Sequence, residues 1–153
     1  MKPKTKGNLF VTAQFALLAV IFLAPGHKTD VGLGMQIAVG IVGAVGWLIL
    51  GISLFNLGRS LTANPVPLET ATLKTGGLYA MVRHPIYLGL LLISLAGALN
   101  AGTALAWLAF AALVVLLVFK ARFEEGFLLA KYPGYGQYAA KTGMLIPGLG
   151  KRK

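Results

Sequence analysis

The sequence has no cysteine and few charged residues. Because none of its 153 residues is cysteine, disulfides, thiolate nucleophiles and cysteine metal sites are excluded. Charged residues make up only 12% of the chain, roughly half the share typical of soluble domains, and 57% of the residues are hydrophobic. At this length we expect a single domain, residues 1–153, without a separate soluble catalytic module. The composition predicts an all-α integral membrane protein.

Acidic residues are also scarce, with 4 against 14 lysines and arginines, which gives a formal net charge of +10. In a soluble protein such a charge would suggest nucleic-acid binding. Here the basic residues lie beside the apolar runs and at the two ends of the chain, as Lys2, Lys4 and Lys6 and as Lys151, Arg152 and Lys153. This distribution fits topology signals and anionic lipid headgroups better. We therefore expect the lipid bilayer as a partner and no nucleic acid.

Four apolar runs predict membrane helices. They cover residues 9–24, 34–57, 86–99 and 103–122. The first follows a basic stretch but lacks a signal-peptide cleavage site, so we expect it to be retained. The last two runs predict a helical hairpin around the Asn100-Ala101-Gly102 turn. The final helix meets no proline before Pro133, and we expect it to continue beyond the lipid.

Positive charges fall on one side of the predicted helices. The amino terminus, the loop 58–84 and the tail 123–153 share this side, and the polar turn at His27, Lys28 and Asp30 faces the other. The positive-inside rule then places both termini in the cytoplasm, and we expect a prokaryotic cytoplasmic membrane. Small residues in the second run allow close helix packing, also against a second copy as a homo-oligomer: Gly40, Gly43, Ala44, Gly46 and Gly51.

Charge is concentrated where the third helix is expected to begin. Arg83 and His84 directly precede Pro85, and proline favours the first position of a helix. The unpaired amides of a helix start, together with these two side chains, suit an anionic group of a ligand. On the residues alone, an equally good interpretation is that Arg83 and His84 are interfacial anchors that reach lipid headgroups.

Glu124 and Glu125 hold half of the acidic residues. Measured along the predicted hairpin, they lie roughly 9 Å further towards the cytoplasm than His84. This gap predicts a ligand held between a cationic helix start and two carboxylates. A metal site formed by His84 and the two glutamates lacks a recognised ligand spacing, so we expect no metal. The evenly spaced tail tyrosines predict either a lid over a ligand or an interfacial aromatic belt: Tyr132, Tyr135 and Tyr138.

Several short motifs occur in order along the chain. They are Thr75-Gly76-Gly77-x-Tyr79, Arg83-His84-Pro85-x-Tyr87-x-Gly89, Arg122-x-Glu124-Glu125, Tyr132-Pro133-x-Tyr135-x-x-Tyr138 and Ile146-Pro147. With the predicted hairpin between them, this ordered set resembles the isoprenylcysteine carboxyl methyltransferase and phospholipid methyltransferase superfamily of integral membrane enzymes. The resemblance covers roughly residues 59–147. It implies methyl transfer from the cofactor S-adenosyl-L-methionine to a lipophilic acceptor, such as an isoprenylcysteine-like carboxylate, a phospholipid amine or a small lipophilic compound.

The resemblance also implies site residues. The cofactor would be surrounded by Tyr79, His84, Pro85, Tyr87, Leu88, Gly89, Glu124 and Glu125. The catalytic candidates are Arg83, His84 and Glu125. In this hypothesis the two cations hold the methionine carboxylate or orient the acceptor, and the glutamates accept hydrogen bonds from the donor. Arg59 and Arg122 are candidates for acceptor binding, although Arg122 could equally pair with a glutamate on its own helix.

Two other classes of function stay open. Membrane sterol reductases have a related carboxyl-terminal architecture and bind a reduced nicotinamide cofactor, but they are generally longer, with more helices. A non-enzymatic transporter or packing subunit is the second alternative. A small transporter would be expected to carry an ionisable residue within the membrane. The first run, the second run and the fourth run up to Phe119 contain none, and the acidic pair is expected at the interface.

Overall fold

The computed structural model describes residues 2–26 and 32–152, without the side chain of Arg59. The predicted turn at His27, Lys28 and Asp30 and the candidate side chain of Arg59 therefore lie outside the described residues. Within them the chain forms six α-helices and one 3-10 turn at Gly58–Ser60. The helices are α1 (Pro3–Leu23), α2 (Leu33–Leu57), α3 (Leu78–Met81), α4 (Pro85–Ala101), α5 (Ala104–Lys131) and α6 (Tyr135–Lys141).

Three of these helices are long and apolar enough to cross a membrane. They are α1, α2 and α5, with 21, 25 and 28 residues, whereas α4 is apolar but shorter. The prediction of an all-α integral membrane protein is confirmed in this form. Because proline favours the first turn of a helix, α1 begins at Pro3 and so starts before the predicted membrane run 9–24. The predicted continuation of the last helix is confirmed, since α5 runs on to Lys131.

The two helices of the predicted hairpin begin and end for local reasons. As expected, α4 starts at Pro85. It ends at Ala101 and is followed by Gly102 with a left-handed φ of 65°, a conformation that glycine adopts without strain. The hydroxyl of Thr103 then accepts a hydrogen bond from the amide of Ala106 over 3.3 Å and caps α5. The connection is therefore tighter than the predicted three-residue turn, and α4 is longer than the predicted run 86–99.

Glycines bring α4 and α2 into close contact. A Cβ atom at Gly89 would lie 2.9 Å from the carbonyl oxygen of Gly46, and one at Gly46 would lie 2.8 Å from the amide nitrogen of Ile93. The predicted packing role is thus confirmed for Gly46, whereas a Cβ at Gly40 or Gly51 would meet nothing within 4 Å. The packed helix pairs are α2 with α4, α1 with α5, α4 with α5 and α1 with α4.

The tail after α6 returns to the start of α4. The amide of Arg83 donates to the carbonyl oxygen of Gly143 over 2.8 Å, and the amide of His84 donates to that of Met144 over 3.1 Å. The side-chain amide of Asn64 in the loop donates to the carbonyl oxygen of Lys4 in α1 over 3.1 Å. These contacts hold the loop and the tail at one end of the bundle, where the polar side chains lie.

Candidate functional site

Arg83 lies at the centre of a buried network that joins three parts of the chain. Its Nε donates to Oε1 of Glu125 over 2.7 Å, and one terminal nitrogen donates to the carbonyl oxygens of Ala139 and Thr142. The other terminal nitrogen donates to the carbonyl oxygen of Gly150 over 2.9 Å. About four of its five N–H groups are thus used inside the protein. With a side chain that is 1% exposed, Arg83 is not an interfacial anchor, and that interpretation is wrong.

Glu125 contacts two guanidinium groups and one imidazole. Besides Arg83, Nε2 of His84 lies 3.3 Å from its Oε1, and a terminal nitrogen of Arg152 lies 3.4 Å from its Oε2. The predicted separation of roughly 9 Å between cations and carboxylates is therefore wrong for Glu125. The estimate followed helix axes alone, whereas side chains on α5 lean back towards its amino-terminal end. His84 also precedes α4 in non-helical backbone.

Glu124 has a different environment, with a side chain that is 26% exposed. The hydroxyl of Tyr87 donates to its Oε2 over 2.7 Å, and Nδ1 of His84 lies 3.7 Å from the same oxygen. The rings of His84 and Tyr87 stack with their centroids 5.2 Å apart. The two adjacent glutamates thus have different environments. Glu125 belongs to the buried network, whereas Glu124 lines cavities that a ligand could fill.

The tail tyrosines lie over this end of the bundle. The hydroxyl of Tyr138 donates to the carbonyl oxygen of Tyr79, and that of Tyr132 donates to the carbonyl oxygen of Ala71 in the loop. Tyr135 is 1% exposed, and its buried hydroxyl has no hydrogen-bond partner among residues 2–26 and 32–152. Such an unsatisfied buried hydroxyl calls for an explanation, and a bound ligand would supply one.

The buried tyrosines stay protonated at neutral pH. Burial raises the pKa of Tyr138 to about 12. Burial and then the nearby glutamates also raise the pKa values of Tyr79 and Tyr135 well above the usual range. Each hydroxyl can therefore act as a hydrogen-bond donor.

Two cavities adjoin at Tyr79 and Glu124. The first, here called the tyrosine cavity, has about 80 Å³ and is also lined by Arg83, Tyr132, Tyr135 and Tyr138. The second, here called the lysine cavity, has about 350 Å³. Its polar walls are Gln14, His84, Tyr87 and Lys120, and its apolar walls include Leu54, Leu57 and Leu90. Tyr79 and Glu124 line both cavities.

Most of the predicted site residues with described side chains line these cavities, but four do not. Glu125 lies behind the cavity walls, in contact with Arg83 and His84. Leu88 lines a separate apolar cavity between α4, α5 and the tail. Gly89 was expected beside the cofactor, but it lies against the backbone of α2, where it allows the two helices to pack closely. Arg122 is exposed and forms no ion pair within the described part of the chain, so its predicted pairing with a glutamate is not seen. The side chain of Arg59 is not described.

Lys120 and Gln14 were not among the predicted site residues. Lys120 directly follows the apolar run that ends at Phe119, and its side chain is buried with 2% exposure. Its Nζ donates to Oε1 of Gln14 over 2.7 Å and lies 5.1 Å from the ring centroid of Tyr87. The expected lack of ionisable residues holds up to Phe119 but not for the rest of α5. The available signal was the spacing, because Lys120 lies four residues before Glu124, on the same helix face.

The fold and the site define a helical integral membrane protein whose polar side chains cluster at one end of its bundle. A model of the family described as phospholipid methyltransferase matches residues 35–134. The chain belongs to this family, as the motifs predicted. The match contains Arg83, His84 and both glutamates, and the family indicates a membrane enzyme of the methyltransferase type.

A curated relative is similar over part of its length. It is the cobalt-zinc-cadmium resistance protein CzcN of Cupriavidus metallidurans, which is 34% identical over 106 residues, covering 66% of this chain and 48% of the relative. The chain thus spans about half the length of this relative. Within residues 2–26 and 32–152, no group of three or more His, Asp or Glu side chains is arranged to hold a metal ion.

Proposed function

We propose that the protein transfers a methyl group from S-adenosyl-L-methionine to a lipophilic acceptor. The observation that carries this proposal is the wall that the tyrosine cavity and the lysine cavity share at Tyr79 and Glu124. A methyl transfer between a water-soluble donor and an apolar acceptor needs one place where both can be aligned. The shared wall is such a place.

The tyrosine cavity suits the donor chemically. The Glu124 carboxylate matches the positive charges of a sulfonium and an amino group, and Oε1 of Glu124 is free of the two contacts made by its Oε2. The ring of Tyr79 can contact a cation or an adenine. The unpartnered hydroxyl of Tyr135 offers a hydrogen bond. These three groups agree with the chemistry of S-adenosyl-L-methionine.

The loop 61–77 must move outwards for the donor to bind. The tyrosine cavity, at about 80 Å³, is smaller than ordinary ligand pockets, which hold about 300–1,000 Å³. The outer wall of the cavity is joined to α5 and to Tyr132 by hydrogen bonds that would have to break. The ammonium of Lys131 donates to the carbonyl oxygen of Glu69 over 2.9 Å, and the hydroxyl of Tyr132 donates to that of Ala71.

The lysine cavity suits the acceptor. It lies inside the helix bundle, and its leucine walls favour an apolar chain. Its volume of about 350 Å³ falls within the range of ordinary ligand pockets.

The residues of the chain would mainly align the reactants and exclude water. S-adenosyl-L-methionine, when bound, would supply the methyl group from its sulfonium, and the rest of the donor would leave as a neutral thioether. His84, fixed by its stacking on Tyr87 and its contact with Glu125, lines the acceptor side. There it can receive a proton from an amine or hydroxyl acceptor, whereas a carboxylate acceptor needs no base. Arg83 and Glu125 are positioning residues that hold the tail over the site.

Transfer of a labelled methyl group tests this proposal. Purified protein would be incubated with S-adenosyl-L-methionine carrying a radioactive methyl group and with a total membrane lipid extract. We expect label in the organic phase, lost in Glu124→Gln and retained in Glu69→Gln, which removes the same charge from an exposed position. Label that stays in the aqueous phase with every lipid fraction, although the protein is folded, would contradict the proposal.

A further inference from the structure

Lys120 is a buried cation that forms no ion pair among the described residues, and the Glu124 carboxylate one helical turn away interacts with it only at longer range. Its side chain is 2% exposed, and no carboxylate of the described residues lies within ion-pair distance of its Nζ. Its hydrogen-bond partner is the neutral side-chain amide of Gln14, although an ammonium group has three N–H donors. Because burying an unpaired charge is costly, the anionic group of a ligand would stabilise this ammonium.

The space around Lys120 indicates what this anion would be attached to. Lys120 lies in the wall of the lysine cavity, whose remaining surface includes Leu54, Leu57 and Leu90. This cavity is bounded by α1 on one side and α2 on the other, and these helices are not among the closely packed pairs of the described residues. An apolar chain could therefore enter between α1 and α2 from the lipid.

We propose that Lys120 binds the anionic group of an amphiphile whose apolar chain lies along the leucines of the lysine cavity. The ammonium would donate to a carboxylate or phosphate oxygen, and Gln14 would hold the ammonium in place. The ring of Tyr87 also contacts the ammonium of Lys120 and helps to hold it in place. If the protein is the methyltransferase proposed above, this amphiphile is the methyl acceptor, so the substrate class is an anionic lipid-like molecule.

The position of Glu124 supports this assignment. Glu124 follows Lys120 by one helical turn, and both line the lysine cavity. An amphiphile whose anionic group is bound by Lys120 is thereby held beside the shared wall of the two cavities. An uncharged or cationic amphiphile would leave Lys120 without its anion and would bind less tightly.

Binding of defined amphiphiles in an uncharged detergent tests the proposal. The probes are palmitate and phosphatidic acid, each compared with its uncharged counterpart, hexadecanol and diacylglycerol. We expect the wild-type protein to bind at least one anionic probe roughly tenfold or more tightly than its counterpart, as one charge-assisted hydrogen bond implies. A preference for palmitate would identify a carboxylate, and one for phosphatidic acid would identify a phosphate headgroup.

Matched variants separate charge from fold. Lys120→Gln should abolish the preference, Lys120→Arg should keep most of it, and Lys141→Gln, at an exposed position on α6, should leave it unchanged. Gln14→Glu should weaken anionic binding roughly tenfold, because a carboxylate of the protein would then occupy the ammonium. This last variant still tests the proposal if Lys120→Gln fails to fold.

The affinity for S-adenosylhomocysteine, measured on the same samples, distinguishes this proposal from the proposed function. A folded Lys120→Gln protein that keeps the wild-type preference for an anionic probe would overturn the role of Lys120. The role of Lys120 would also be overturned if Lys120→Gln lost the binding of S-adenosylhomocysteine but kept that of the amphiphile, because Lys120 would then bind the methyl donor. A wild-type protein that binds no S-adenosylhomocysteine but prefers the anionic probe through Lys120 would contradict the methyltransferase alone.

Discussion

Arg83 at the start of α4 and Glu125 on α5 form a buried ion pair, with Nε and Oε1 2.7 Å apart and with side chains that are 1% and 2% exposed. The same guanidinium binds carbonyl oxygens of the tail at Ala139 and Gly150. One side chain thus ties two helices and the tail together. The pair is part of the fold at the site and leaves little of Arg83 for a ligand.

Removal of one partner of this pair should destabilise the protein strongly. Arg83→Ala leaves Glu125 buried with a reduced set of partners, and breaking a buried pair in this way typically costs about 3–5 kcal/mol. Thermal unfolding in detergent would measure the loss, with Lys141→Ala as a control at an exposed cation. An unchanged melting temperature in Arg83→Ala would contradict the structural role of the pair.

Tyr135→Phe should separate ligand binding from stability. The Tyr135 hydroxyl is buried without a partner among the described residues, so its removal should not lower the melting temperature. If it bonds to the donor, the affinity for S-adenosylhomocysteine should fall roughly threefold to tenfold. Tyr138→Phe is the contrasting control, because the Tyr138 hydroxyl donates to the carbonyl oxygen of Tyr79 and its loss should lower stability. Equal effects of the two variants on stability would contradict this assignment.

Gly89→Ala should disturb helix packing. The added Cβ would lie 2.9 Å from both the Gly46 carbonyl oxygen and the Leu50 amide nitrogen, so α4 and α2 must separate. Overpacking of this kind typically costs about 1–3 kcal/mol. Gly51→Ala makes the same chemical change in α2, where the Cβ would meet nothing within 4 Å, and should cause no loss. A Gly89→Ala protein as stable as Gly51→Ala would show that the helices are not in close contact.

Alkaline pH should weaken the tail through its buried tyrosines. The pKa of Tyr138 is about 12 in the folded protein and 10.0 at its ordinary value. Below pH 10.0 the Tyr138 hydroxyl is protonated in both the folded and the unfolded protein, and its contribution to stability is complete. Between pH 10.0 and about 12 the hydroxyl loses its proton mainly in the unfolded protein, which favours unfolding. Stability should therefore fall as the pH rises from 10.0 towards about 12. The fall in melting temperature over this range should be smaller in Tyr138→Phe, and an identical fall would contradict the burial of this hydroxyl.

The features that sequence predicted well are those set by local chemistry. Apolar length predicted the membrane helices, proline predicted the start of α4 at Pro85, and ordered motifs predicted the family. The close approach at Gly46 also follows from a general rule for small residues in membrane helices.

The features that sequence predicted poorly depend on how helices cross and where side chains point. Axial distances along a hairpin could not show that Arg83 and Glu125 touch, because the start of α4 is irregular and the side chains of α5 lean back. Lys120 was not recognised because its partner Gln14 is 106 residues away in the sequence. The division of labour between Glu124 and Glu125 likewise follows from tertiary contacts.

Calorimetric titration with S-adenosylhomocysteine tests the central claim most directly. We expect saturable binding by the wild-type protein in detergent, at least about tenfold weaker binding by Glu124→Gln, and wild-type affinity in Glu69→Gln. Reduced nicotinamide cofactor in a parallel titration should not bind. Absence of S-adenosylhomocysteine binding by a folded, monodisperse protein would contradict the account, and so would equal affinity in Glu124→Gln. Binding of the nicotinamide cofactor instead would favour a reductase.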